Sequence, residues 1–231
     1  MLAPKPNLEE FVTKSENVNR LVLGVASSDP KTRNMTIEAI APMINFTDDG
    51  HSKVLAALDH FKYKKREAFR FETILDILKF EKTPELITPP LLLINSLINT
   101  PESLDDRIEM RNEFISHGFV TILDGLKEQY AKNEDIMTQI RTFNEDKDYD
   151  EEEFADRIKE NKGKQVNVKD ARSLITAMME HVKDKPYLHG PFLETMKHLL
   201  AMPVDRSKGL KLWFIIGKIS HQLATLRDEV S

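Results

Sequence analysis

Apolar residues return every three to four positions along almost the whole chain, and no stretch alternates apolar and polar side chains over a strand's length between turn signals. Val54, Leu58 and Phe61 make one stripe; Ala68, Phe71, Leu75 and Leu78 make the next, with the charged run Lys62 to Arg66 between them, the pattern of a helical hairpin. Start and stop signals agree with the period. Asp29-Pro30 and Thr83-Pro84-Glu85 each put a capping side chain before a proline at the first helical position. Ser103 with Asp106 forms a capping-box pattern, and Gly118 after His117 suits a left-handed helix end, with Phe119, Ile122, Leu123 and Leu126 opening a new stripe. The predicted helices cover 16–27, 31–46, 51–63, 66–80, 84–99, 104–117, 119–130, 132–143, 168–183, 187–202 and 206–228.

These helices group as two shorter members followed by a longer one, most clearly over 51–99 and 104–143. A period of roughly 40 to 47 residues belongs to armadillo and HEAT arrays. Ile44-Asn45 and Ile94-Asn95, near the ends of two long helices, are the best internal echo. Pro42 inside helix 31–46 removes an amide donor and crowds the preceding turn, a defect of about 3 kcal/mol that predicts a kink or an early end. Pro89-Pro90 predicts an irregular first turn in helix 84–99, with Leu91 to Asn99 regular. The run from Asn144 to Glu153 is too charged to bury apolar surface, and residues 144–165 are expected to form an exposed excursion within a repeat. The expected organisation is a repeat domain over 1–205 and a C-terminal helix over 206–231.

Composition narrows the chemistry. The 231 residues are 40% hydrophobic and 31% charged, with a formal net charge of −5, so no overall basic field draws the molecule as a whole toward nucleic acid phosphates or anionic lipid. The absence of cysteine removes disulfides, thiolate catalysis and sulfur-ligated zinc. Residues 1–6 lack the apolar core of a signal peptide, and the greasiest stretch, Leu86 to Ile98, is too short and too interrupted to span a membrane. No glycine-rich phosphate loop occurs, and no two histidines have zinc-hydrolase spacing. Glu194 and His198 share a helix face as a solvated pair. Glu151 to Glu153 lack the glycine and the ligand spacing of a calcium loop. No catalytic residue, metal ligand or cofactor is expected, and a helical enzyme is disfavoured. Leu212, Ile216, Ile219, Leu223 and Leu226, beside Trp213 and Phe214, form a stripe suited to core packing or to a coiled-coil seam.

From Leu91 to Phe114 the chain carries Ile94-Asn95-Ser96-Leu97, a short turn, Leu104-Asp105-Asp106-Arg107 and then Arg111-Asn112-Glu113. This resembles the most recognisable segment of the formin homology three domain of diaphanous-related formins, in which Ile-Asn-Ala-Leu ends one helix and Leu-Asp-x-Arg and Arg-x-Glu follow. Ser96 stands where the family has alanine. Arg33 to Ala39, His117 to Leu123 and Phe192 to Leu200 look similar in the same order, so the resemblance covers roughly residues 16–228.

The resemblance implies an all-α fold, a right-handed armadillo-repeat superhelix (α-solenoid), whose third helices line a concave groove. In the family that groove holds an amphipathic helix from the formin's own C-terminal tail and restrains actin assembly until a Rho-family GTPase intervenes. Implied partners are thus the autoregulatory helix, a Rho-family GTPase and, through the rest of the formin, actin, in the cytoplasm and cytoskeleton. The family's GTPase-binding helices would precede the first predicted helix, so that segment is expected to be missing or truncated here. The last helix leads, in the family, to a dimerisation segment, which makes a homodimer the implied oligomer.

A docked helix needs apolar pockets for its i, i+3, i+4 and i+7 residues and small or amide side chains where backbones approach. Leu92, Ser96 and Asn99 share one face of helix 84–99, and the neighbouring long helices offer Ala41, Asn45, Gln139 and Phe143; these seven are the groove candidates. Glu151, Glu152 and Glu153 are candidates for steering a basic flank of the ligand. The competing reading is an armadillo/HEAT-type adaptor for an unrelated amphipathic peptide.

Overall fold

The computed structural model describes residues 8–162, 166–205 and 208–225, and among these every regular element is helical. The chain divides into two compact units, one up to Lys147 and one from Asp148 onward.

The first unit opens with α1 (Leu8–Thr13), a short helix not predicted from the sequence, and α2 (Ser15–Val22), which tightens into a 3-10 turn over Leu23–Ala26. Then come α3 (Pro30–Met43), α4 (Gly50–Lys65), α5 (Glu72–Phe80), α6 (Pro84–Asn99), α7 (Leu104–Ser116) and α8 (Phe119–Gln129). Asp29 caps α3 by accepting the Thr32 amide at 2.9 Å, as Asp29-Pro30 predicts. Pro42 lies in the last turn of α3, which ends at Met43, earlier than the expected 46.

Two expectations fail for physical reasons. Helix 66–80 starts only at Glu72, because Arg66 takes a left-handed conformation (φ 59°) that ends α4, and the Glu72 carboxylate then accepts the Ala68 amide at 2.6 Å. Helix 84–99 is regular from its first turn despite Pro89 and Pro90. Both prolines are buried beside Ile87, Leu91, Leu93, Ile94, Leu97 and Ile98, and that packing offsets the two missing amide donors.

One continuous core runs from Val12 to Phe143. A chain of rings ties the successive triplets together: Phe71 stacks on Phe114 (centroids 4.2 Å apart), Phe114 meets Phe119 at 5.8 Å, and Phe119 takes Phe143 edge-on at 5.1 Å. Arg70 Nη2 donates to Glu113 Oε2 at 2.5 Å, adding a charged clamp between the α4–α5 turn and α7.

The last helix of this triplet, α9, is Glu134–Lys162, a single helix of 29 residues that crosses the boundary between the units. The expected excursion at 144–165 is therefore helical as far as Lys162, and residues 163–165 lie outside the described ones. Ile136, Ile140 and Phe143 are buried, so packing supports nucleation, and adding further turns to an existing helix is cheap even for charged residues.

The second unit continues with α10 (Ala171–Lys183), α11 (Pro186–Leu200) and α12 (Gly209–Thr225). Asp170 caps α10 by accepting the Arg172 and Ser173 amides. Lys169 bridges Asp148 at 2.6 Å and Glu151 at 3.0 Å, and these carboxylates hold its ammonium well above the usual lysine range.

Candidate functional site

The third helices α3, α6 and α9 are joined by a strip of amide and hydroxyl groups. Thr100 Oγ1, at the end of α6, lies 2.8 Å from Asn45 Oδ1 just beyond α3 and 2.7 Å from the Ser96 carbonyl one turn back. Asn99 Nδ2 donates to Asp146 on α9. Asn95, only 5% exposed, donates from Nδ2 to the backbone carbonyl of Gln139 (2.9 Å) and to its side-chain Oε1 (3.0 Å). Together these bonds fix the spacing and register of three helices without closing the surface above them.

The seven candidates fall into two sets. Asn45, Leu92 and Asn99 are exposed, and Ser96 and Gln139 are half-buried. Ala41 and Phe143 belong to the core beneath, at 6% and 3% exposure, so they support the strip and offer a ligand almost no area. Leu92 is 44% exposed while Leu91 and Leu93 beside it are buried. Its apolar surface, with Ser96 one turn on and Asn99 a further turn along, gives α6 an outward face that is apolar at one end and amide-rich at the other.

Asn95, Thr100 and Asp146 belong to the strip but are not among the seven. The echo of Ile44-Asn45 in Ile94-Asn95 was the available signal: each asparagine reaches from its own long helix to the next, Asn45 to Thr100 and Asn95 to Gln139. In the second unit Glu151 is half-buried against Lys169, whereas Glu152 and Glu153 are exposed.

A separate cleft of about 490 Å³ opens between the 3-10 turn, α3 and α5, lined by Val25, Thr73, Asp76, Ile77 and Phe80 around the Arg33–Glu81 ion pair (2.9 Å). The Glu81 carboxyl is held below its ordinary value chiefly by the Thr83 amide, against a smaller effect of burial, with the Arg33 charge adding to it. Arg33 and Glu81 are thus engaged with each other, and Asp76 with Lys79 at 2.9 Å. Among the described residues no cluster of histidines and carboxylates is placed to hold a metal ion, and no helix is long and apolar enough to cross a membrane.

Stacked helical triplets linked through their third members invite comparison with known proteins, and the family described as the Diaphanous FH3 Domain matches residues 51–231. The chain belongs to the diaphanous FH3 family. Formin-F of Dictyostelium discoideum is 26% identical to this FH3 chain over 228 residues, covering 97% of the chain and 18% of Formin-F. Formin-A of the same organism is 31% identical over 222 residues (93% of the chain, 17% of Formin-A). Human Disheveled-associated activator of morphogenesis 1 is 25% identical over 225 residues (93% and 20%). The FH3 chain thus spans about a fifth of the length of these relatives. Among solved structures, that of E. histolytica Formin1 bound to EhRho1-GTPgammaS superposes with a TM-score of 0.59 at 20% identity, over 65% of this chain and 53% of that one. That likeness gives the fold, an armadillo-like helical solenoid, which is the all-α class expected from the sequence.

Proposed function

We propose that this FH3 domain is a non-catalytic regulatory module of a formin, and that the strip along α3, α6 and α9 binds the amphipathic C-terminal helix of the same formin to restrain actin assembly. The observation that carries this reading is the outward face of α6, where an exposed leucine, Leu92, precedes small and amide side chains on a surface held in register by hydrogen bonds to both neighbouring long helices. An incoming helix can place an apolar residue against Leu92 and bring its backbone close over Ser96. The test is calorimetric titration of the domain with the parent formin's C-terminal helix. Ser96→Asp should abolish binding while leaving helicity and Tm intact; an unchanged affinity removes the proposal.

Relief by a Rho-family GTPase is the regulatory half of the same reading; the Rho-bound state of the E. histolytica Formin1 structure supports a Rho-family GTPase as a partner. On this reading actin is reached through the rest of the formin, the setting is cytoplasmic and cytoskeletal, and α12 leads toward a dimerisation segment. Steering of a basic ligand is assigned to the acidic run Glu151, Glu152 and Glu153, of which Glu151 already faces Lys169. Neutralising all three glutamates should slow association at low salt and flatten its salt dependence.

A further inference from the structure

The last turn of α4 and the residue that ends it read Lys62-Tyr63-Lys64-Lys65-Arg66. Lys64, Lys65 and Arg66 are exposed, Lys62 is half-buried, and Tyr63 is 83% exposed. None of the four cations makes an ion pair among the described residues, in a chain where Lys14, Arg20, Arg33, Lys53, Arg70, Lys79, Lys169 and Lys197 all do. The nearby carboxylates are engaged elsewhere. Asp59 faces Arg70 at 3.4 Å, Glu67 receives the Thr73 hydroxyl, and Glu72 caps the Ala68 amide at 2.6 Å. The four cations at this corner are therefore left without a direct ion-pair partner among the described residues, although the chain as a whole carries −5.

Cations in a last helical turn favour the helix dipole, which accounts for part of this cluster. It does not account for Arg66, which occupies a left-handed position (φ 59°) where glycine is the default, so a charge is kept there at a conformational cost. Nor does it account for an aromatic ring left almost fully in water between lysines.

We propose that this corner is a contact point for an anionic membrane surface. Clustered lysine and arginine are drawn to the negative potential of a leaflet rich in acidic phospholipid, and a tyrosine with an apolar ring and a polar tip suits the headgroup region. A membrane fits better than a nucleic acid. Nucleic-acid affinity comes from neutralising many phosphates along a long footprint, whereas this chain offers one short basic corner. A lipid plane can be touched by that corner alone. The contact is weak and reversible, the second of the two signals that stable membrane attachment requires.

The test is co-sedimentation of the 231-residue chain with phosphatidylcholine vesicles, with and without phosphatidylserine, over a range of salt. Binding is expected only with phosphatidylserine and should fade as salt rises. Lys64→Gln with Lys65→Gln should weaken it about 30-fold, from the energy each cation gains near an anionic surface. Tm and tail-helix affinity should stay unchanged, which separates this result from the fate of the groove. Tyr63→Ala should weaken binding without altering the salt slope. Equal binding by the doubly substituted protein, or binding that ignores phosphatidylserine, overturns the proposal. So does tight binding of a single-stranded RNA with none to vesicles, which would assign the corner to nucleic acid.

Discussion

His117 ends α7 with its ring flat against Phe69, centroids 3.6 Å and planes 7° apart. Burial holds its imidazole below the ordinary 6.5, against the opposing pull of the Glu113 and Glu72 carboxylates. As pH falls, the unfolded chain takes up this proton before the folded one does. Stability is thus complete above pH 6.5 and is lost as pH falls through the depressed folded value. His117→Phe preserves a stacked ring and removes the titration, so its Tm should fall less than wild type between neutral pH and about pH 5; parallel curves would deny the histidine this role. The residue after it, Gly118, has φ 86°, the left-handed turn that His117-Gly118 signals in the sequence. Arg66 takes a similar conformation with no glycine to signal it; the Glu67 amide closes the helix end on the Lys62 carbonyl at 3.0 Å, and Phe69 and Phe71 pack into the core just beyond.

At the scale of elements, α6 and α9 show how packing overrules local preference. Two buried prolines leave α6 regular, and a run of acids from Asn144 to Glu153 continues α9 without a break. The excursion expected from composition fails because composition weighs the run as if it had to nucleate by itself. In the chain it inherits a nucleus from Ile136, Ile140 and Phe143 and meets a counter-ion in Lys169. Asn95 is the main polar tie between the two helices, donating at 2.9 and 3.0 Å to Gln139. Asn95→Ala removes that tie and leaves a small cavity, which should cost about 1–2 kcal/mol in urea unfolding. A loss below about 0.5 kcal/mol would mean that the Asn99–Asp146 bond and the apolar contacts of Ile136, Ile140 and Phe143 hold α9 in place without it.

At the scale of the whole molecule, the two units differ in how much apolar surface they bury. The core from Val12 to Phe143 lies wholly in the first. In the second, Val166 and Val182 are the buried apolar side chains among the described residues, while Ile175, Met179, Tyr187, Leu193 and Leu200 are at least half exposed. Local stability follows buried contact, so the second unit should open first. Trp213, the chain's one tryptophan, lies there at 43% exposure and reports it separately. Its emission should shift at lower urea than the loss of far-UV helicity, and amide exchange should be faster in α10–α12 than in α4–α8. Superimposed transitions would show instead that the chain unfolds as one cooperative body.

The sequence by itself determined that the chain is helical, where most helices end and which family it resembles; the longer third member it predicts holds for α9 at 29 residues, whereas α4 and α6 are both 16. Those properties depend on side chains within a turn or two of each other, through apolar period, caps and prolines. Tertiary structure alone decided which candidates face outward. Ala41 and Phe143 went to the core while Leu92 stayed at the surface, and Asn95 found Gln139, its partner 44 positions along the chain. A pairing at that distance is set by the stacking of whole helices, and no local spacing encodes it.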